Sequence, residues 1–530
     1  MERTVVACMV GSLWACQSTR AMEARPSTAP APAAIETHAA CAGPSTPTVD
    51  RALLARPPAL ARDIGWVRQR ATTSSPEAFT YYEQGMAYLH GYVWIEAARS
   101  FNQALRLDPD FAMAWVGLSR TESGMLYGRQ AAEAANKAAA LAARGGKLSE
   151  TEKRLAELRV MQLAALAAPP DKQKDAHQAY KLAIEKAIAA DPDDAELWIL
   201  RGQAEESGPW GRGQGGGIGA IAFYEAALVR APQHHAAHHY LTHAYENVGR
   251  HREAEKHARI YAQAAARVPH ALHMLGHILP RLGKWEEALT LFERADALER
   301  EYARVEKLKP GEDWHHAHNL VLLGYTYLRL ARPTDSERAF RRMFDTPIWV
   351  PGYVAFRASW PEFLLLRGQP GPALVAARQL ARHPFAGARA VGRALEAEAL
   401  IDLDRAGEAR DALAAAAAEL ARARKADGPS LRLVEQLSAP VVEAAEAVVL
   451  LHSQGQEQRG EAVTLALAGR VAANPRFDAW GEGLFRLERI ARHARAVGRE
   501  PLARAVLEKM TEIDPGYEPG AWSAKAQARR

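Results

Sequence analysis

At 530 residues, with 48% hydrophobic and 24% charged side chains, the chain is too long for one ordinary core and has the makeup of an ordered multidomain protein or a repeat array. Its formal net charge of +5 is small for this size and its arginines are interleaved with acids, so no basic block is present to track a nucleic-acid backbone. The three cysteines, Cys8, Cys16 and Cys41, all fall in the first fifty residues, which excludes disulfides and thiolate metal ligands from the rest of the chain.

Residues 1–16 read as a secretory signal: a short charged start, an apolar run from Val5 to Ala15, and the ending Leu13-Trp14-Ala15-Cys16. That ending resembles a bacterial lipoprotein signal, although Trp14 is bulky for its slot. The resemblance implies lipidation at Cys16 and a place in the bacterial cell envelope, facing the periplasm, or secretion. No run of 18 apolar residues follows, so membrane attachment would rest on the lipid alone. Residues 17–60 are rich in Ala, Pro, Ser and Thr and read as a disordered tether, because such a segment cannot bury enough apolar surface to fold.

Residues 61–530 read as an array of helix pairs. Tyr81, Gly85 and Tyr88 are followed by Ala97, Phe101, Ala104 and Pro109, and Trp115 arrives 34 residues after Tyr81. The step from Pro109 to Trp115 recurs from Pro192 to Trp198, and again from Pro232 to His238. Later units show Leu272, Gly276 and Leu279 with Ala288 and Phe292, then Leu320, Gly324 and Tyr327 with Phe340. More degenerate units cover roughly 354–385, 391–425, 440–475 and 485–517. This pattern resembles the tetratricopeptide repeat, which implies an all-α, right-handed superhelix of antiparallel helix pairs with a concave groove. Two stretches depart from the period. Ser149 and Glu152 form a capping box that opens a long helix to about Ala168, ahead of a second helix to Ala190. The glycine-rich stretch 208–219 lacks the Gly-Lys-Ser/Thr ending of a phosphate loop and has no strand before it, so it reads as a flexible turn or a mobile lid.

Thirteen of the nineteen histidines fall between His234 and His318, within repeats spanning 234–330. At about 100° per residue, the positions four before, one before and three after the small residue of each first helix (Thr242, Gly276, Gly324) form the apolar packing stripe. His238 falls on that stripe and reads as core. The opposite face holds His239 and His243, then His270, His273 and His277, then His318 with Tyr325. In the repeat family this face lines the groove, so the six imidazoles are expected in one cavity. Side chains at i and i+4 stand about 5–6 Å apart at Cβ, and neighbouring helices about 8–10 Å apart. Imidazoles from adjacent units can therefore meet at one ion. His239, His243, His270, His273, His277 and His318 are the candidate metal ligands, with Glu196, Glu206 and Glu246 able to complete a set. Six exceed the needs of one tetrahedral ion, which leaves two metals, or some histidines outside the ligand set. His315 and His316 precede a helix within reach of the site, whereas His234, His235, His251 and His257 read as turn or second-helix residues. Ligation by His and carboxylate without Cys suits Zn, Cu(II) or Fe(II). The runs 239–245 and 269–278 resemble a histidine-rich subgroup of bacterial tetratricopeptide proteins, although Val321 is apolar where an acid is expected.

Two functions follow. In one, a transition metal in the groove is stored or sensed, or serves oxidative or hydrolytic chemistry on a peptide or small molecule, with Glu246 and Tyr325 as candidates for proton transfer. In the other, a metal-free, lipid-anchored scaffold recruits proteins of the envelope. No Ser/His/Asp arrangement, HExxH motif or nucleotide fingerprint supports another enzyme class.

Overall fold

The computed structural model describes residues 49–520 apart from 68, 207, 209–210, 349–350, 426–430, 432–433 and 474–478. The signal-like segment with Cys16, and most of the expected tether, lie outside the described residues. Helices dominate, and no strand occurs among the described residues. None of these helices is long and apolar enough to cross a membrane.

The short helix α1 (Arg51–Ala55) buries Leu53 and Leu54 and packs on α3 (Trp94–Leu107), so the last dozen residues of the expected tether join the folded body. The correction has a local cause: Val49, Leu53 and Leu54 interrupt the Ala/Pro/Ser composition with apolar side chains that the first repeat covers. The array then runs in antiparallel pairs: α2 (Pro76–His90) with α3, α4 (Ala112–Gly124) with α5 (Gly128–Ala143), and α6 (Glu150–Ala167) with α7 (Pro170–Ala190). α8 (Ala195–Gln203) pairs with α9 (Ile218–Arg230), α10 (His235–Asn247) with α11 (His251–Ala264), α12 (Pro269–Ile278) with α13 (Trp285–Glu306), and α14 (Trp314–Arg329) with α15 (Pro333–Asp345). Four further pairs follow between Ser359 and Ile513. The capping box at Ser149 and Glu152 is formed, and α7 ends at Ala190.

Four pairs, α2–α3, α8–α9, α12–α13 and α14–α15, close through a glycine on the first helix and an aromatic ring on the second. A Cβ on Gly276 would meet Phe292 at 2.9 Å, and one on Gly324 would overlap the ring of Phe340. Stacking these pairs buries a continuous apolar core that no single pair could bury alone.

Both ends of the array fold back on the histidine-bearing repeats. At one end, Trp94 stacks on Trp314 at 5.1 Å, Tyr302 donates to Glu96 at 2.9 Å, and Arg99 pairs with Glu306 at 2.8 Å. At the other, Arg329 donates to Asp514 at 2.6 Å, and Trp480 packs edge-on against Trp285 and stacks on Phe292. The glycine-rich stretch is pinned as well: Asn247 donates to the carbonyls of Gln214 and Gly216 at 2.8 Å, and the Gly213 amide donates to Glu206. Its residues 211–219 form a packed turn, a correction to the reading as a flexible turn or mobile lid.

Candidate metal centre

α10 carries His239 and His243 one turn apart, and α12 opens beside them with His270. Their Nε2 atoms converge. His239 Nε2 lies 3.0 Å from His270 Nε2 and 3.1 Å from His243 Nε2, and one ring nitrogen from each of the three lies within 4.8 Å of the others. The tautomer of His239 follows from its other nitrogen, which sits 2.7 Å from the His90 carbonyl oxygen. A carbonyl only accepts, so Nδ1 carries the proton and Nε2 is a bare lone pair. A backbone carbonyl that holds one imidazole nitrogen and aims the other is the usual support of a metal-ligating histidine. Nitrogens about 2.0–2.1 Å from a tetrahedral ion stand roughly 3.4 Å from each other, so a few tenths of an ångström would admit one.

Tyr92, just beyond α2, covers the group, with its ring centroid 4.7 Å from that of His239 and 5.0 Å from that of His270. Its hydroxyl donates to the Arg212 carbonyl at 2.5 Å, and the ring also lines a cleft with Arg120, Arg159, Arg212 and Tyr240. His239 and His270 are buried and His243 half-buried. Desolvation, and next the neighbouring imidazoles, hold His239 and His270 well below the usual histidine range; burial lowers His243 to about 4. All three are neutral at pH 7, the form that ligates.

A second group lies alongside, where α12 faces α14. The His273 ring is 4.6 Å from His315 and 4.8 Å from His318, and the His270 ring is 4.8 Å from His315. Asn319 donates to the Phe292 carbonyl at 3.1 Å, so its oxygen faces His273 Nδ1, also at 3.1 Å. His315 Nδ1 lies 2.5 Å from Glu299 Oε1, and burial, followed by the Asp313 and Asp296 charges, pushes the Glu299 carboxyl well above its usual range. His318 stacks on Phe356 at 4.9 Å. His277 stands at the edge of this group, its Nδ1 2.7 Å from Glu246 Oε1, which also accepts from Arg281 at 3.0 Å.

The six histidines expected on one face thus come together, but in two adjoining groups, and they are covered rather than lining an open groove. Tyr92 and Trp480, brought in from the two ends of the array, and Phe356, which follows α15, occupy that face. Glu246 anchors His277, a positioning contact. Tyr325 stacks on Phe485 and meets Phe340 edge-on, with no histidine among its ring contacts, because the C-terminal helices fill that end of α14. Glu196 joins neither group and bridges His90 and His234 at 3.1 and 2.9 Å. Glu206 holds the glycine-rich turn. His238 is a core residue, bonded to His257 Nδ1 at 2.9 Å. His234, His235 and His257, read as turn or second-helix positions, are buried; His235 is enclosed by the chain near Trp66. Sequence reasoning missed His90, Tyr92, Glu299 and Asn319. The placement of Asn319 one turn after His315 and one residue after His318 was the available signal for the last.

A tetratricopeptide-repeat family profile matches residues 271–305, most of α12 and of α13. No curated protein matches the sequence. Among solved structures, the type IV pilus biogenesis factor PilW is 16% identical, aligning over 51% of this chain and 93% of its own, with a TM-score of 0.26. A tetratricopeptide repeat protein from Parabacteroides merdae is 13% identical over 52% of this chain and 99% of its own, with a TM-score of 0.34. Yeast Tom70 is 12% identical over 86% and 90%, with a TM-score of 0.32. The chain is an all-α superhelix of antiparallel helix pairs, with the tetratricopeptide-repeat match confined to residues 271–305.

Proposed function

We propose that this superhelix holds a transition-metal ion between His239, His243 and His270. The observation that carries the reading is the convergence of three neutral imidazoles, with the His239 lone pair fixed by the His90 carbonyl. An all-nitrogen set suits Zn, Cu(II) or Fe(II). Three protein ligands leave a fourth position for water or a substrate atom, so the centre suits Lewis-acid or oxidative work on a small molecule or peptide segment as well as storage or sensing. The metal-free scaffold is the weaker reading at this face, because burial removes these histidines as a peptide-binding surface; a protein partner would dock elsewhere on the superhelix. The test is elemental analysis of protein from its native compartment, compared with His239→Ala/His243→Ala. Near-stoichiometric metal, lost in the variant, is expected. Folded wild-type protein that stays metal-free under every loading condition would sink the proposal.

Lipid anchoring at Cys16 is a separate proposal, carried by the Leu13-Trp14-Ala15-Cys16 ending. Cys16→Ser should move the chain from the membrane fraction to the soluble one; an unchanged distribution would refute the anchor.

A further inference from the structure

We infer that the arginine-lined cleft sharing Tyr92 with the histidine trio binds a small organic oxyanion, the carboxylate or phosphoryl group of a molecule with an apolar body. The site uses none of the metal ligands and stands without them.

Arg120, Arg159 and Arg212 line this cleft, and no acid does among the described residues. α4 brings the three together. Arg159 crosses from α6 and donates through Nε to Ser119 Oγ at 2.8 Å, and through Nη2 to the Ser119 carbonyl at 2.9 Å and to Ser123 Oγ. Arg212 reaches over from the glycine-rich turn and donates through Nη2 to the Ser123 carbonyl at 3.2 Å. Arg120 follows Ser119 on the same helix.

Arg159 is the residue that needs an explanation. It is buried, and among the described residues its hydrogen-bond acceptors are all neutral: two serine hydroxyls, a carbonyl, and Gln162 at 2.6 Å. A buried charge is costly unless an opposite charge meets it. Burial, and next the neighbouring Arg120 charge, lowers its pKa to about 9, which leaves the guanidinium charged at neutral pH. Arg120 has only long contacts, 3.3 Å to Gln203 Oε1 and 3.6 Å to Glu196 Oε2, and that carboxylate already bridges His90 and His234. A strut between α6 and α4 would use the hydrogen bonds of Arg159 but has no need of a second guanidinium beside it. An oxyanion in the cleft answers both charges, and the planar fork of arginine suits carboxylate and phosphate alike. The remaining walls include Leu89, Trp94, Leu166 and Leu200, which fit an apolar body behind the anionic head. Arg120, Leu166, Leu200 and Arg212 are half-buried, so the cleft opens to solvent along them.

The test is calorimetric titration of chelator-stripped, full-length protein with benzoate and with phenyl phosphate. Benzamide is the uncharged control, and circular dichroism checks the fold. At least one of the two anions should saturate at one per chain, the tighter of them naming the head group, and benzamide should not bind. Arg120→Gln removes a half-buried side chain with no short contact, so it should fold, and it should bind the anion roughly 10–100-fold more weakly, the worth of a hydrogen bond to a charged group. Wild-type protein that binds neither anion would overturn the site. So would benzamide binding as tightly as benzoate, or folded Arg120→Gln binding as tightly as wild type. With metal absent throughout, none of these failures touches the metal proposal.

Discussion

The Nε2 atoms of His239 and His270 stand 3.0 Å apart although the whole of α11 separates them in the chain. Without a cation, only one of His270 and His243 can turn its proton squarely toward the bare His239 nitrogen, and His270 Nδ1 stays in the core without a partner. Leaving a buried polar atom unsatisfied costs about 1–3 kcal/mol. An ion between the rings removes that cost and couples binding to stability, by about 2.7 kcal/mol when free metal is a hundred times its dissociation constant. The melting midpoint of chelator-stripped protein should therefore climb with the logarithm of added Zn(II), and that of His239→Ala should not. A wild-type midpoint indifferent to zinc would remove the ion from this account.

The helix pairs make their own prediction at Gly324. A methyl group there overlaps the Phe340 ring, while at Gly276 it meets Phe292 at 2.9 Å, a contact the ring tip relieves more easily. Overpacking costs roughly 1–3 kcal/mol, offset by the roughly 1 kcal/mol that alanine gains over glycine within a helix. Gly324→Ala should lower the urea midpoint, and Gly276→Ala should lower it less. Equal effects at the two sites would argue that the rings do not set the spacing of the pairs.

Those same positions explain what the sequence made legible. Gly276 with Phe292, and Gly324 with Phe340, repeat because every pair solves the same packing problem, so periodicity reports the fold. The histidine stripe is periodic for the same reason: His239, His270, His273 and His318 share a face by helical geometry, and their rings do meet. What covers that face is not periodic. His90 and Tyr92 arrive from about 150 residues before His239, and Trp480 from near the other end, through closure of the array that no local pattern encodes; Phe356 comes from the irregular segment after α15. Tyr325 shows the consequence. Its wheel position is on the histidine side, yet the C-terminal helices claim its ring.

Buried neutral histidines outside the two groups make the fold acid-sensitive. Desolvation, and next the neighbouring His238, lowers His257 to about 4; desolvation lowers His493 to about 3 despite the nearby Glu398 carboxylate. A histidine whose folded pKa is depressed contributes stability that is complete above its unfolded value near 6.5 and is lost as pH falls toward the folded one. The urea midpoint should drop as pH falls from 6.5 to 4, with a shallower drop in His493→Gln. A variant as acid-sensitive as wild type would exclude His493 from the effect.

Glu122 should act in the opposite direction at the alkaline end. It sits on α4 beneath the first repeats, and burial pushes its carboxyl up to about 7 despite the Arg51 charge; Oε2 has no hydrogen-bond partner. A carboxyl whose folded pKa is raised contributes stability below its unfolded value near 4.5 and loses it as pH climbs through about 7, because the folded chain must then bury the ionised form. Gln keeps the shape of the protonated acid and cannot ionise. Glu122→Gln should match wild type near pH 5 and exceed it by about 3 kcal/mol at pH 9, from the size of the shift. Denaturant titrations at the two pH values read the difference directly; a gap that does not widen with pH would place the proton elsewhere.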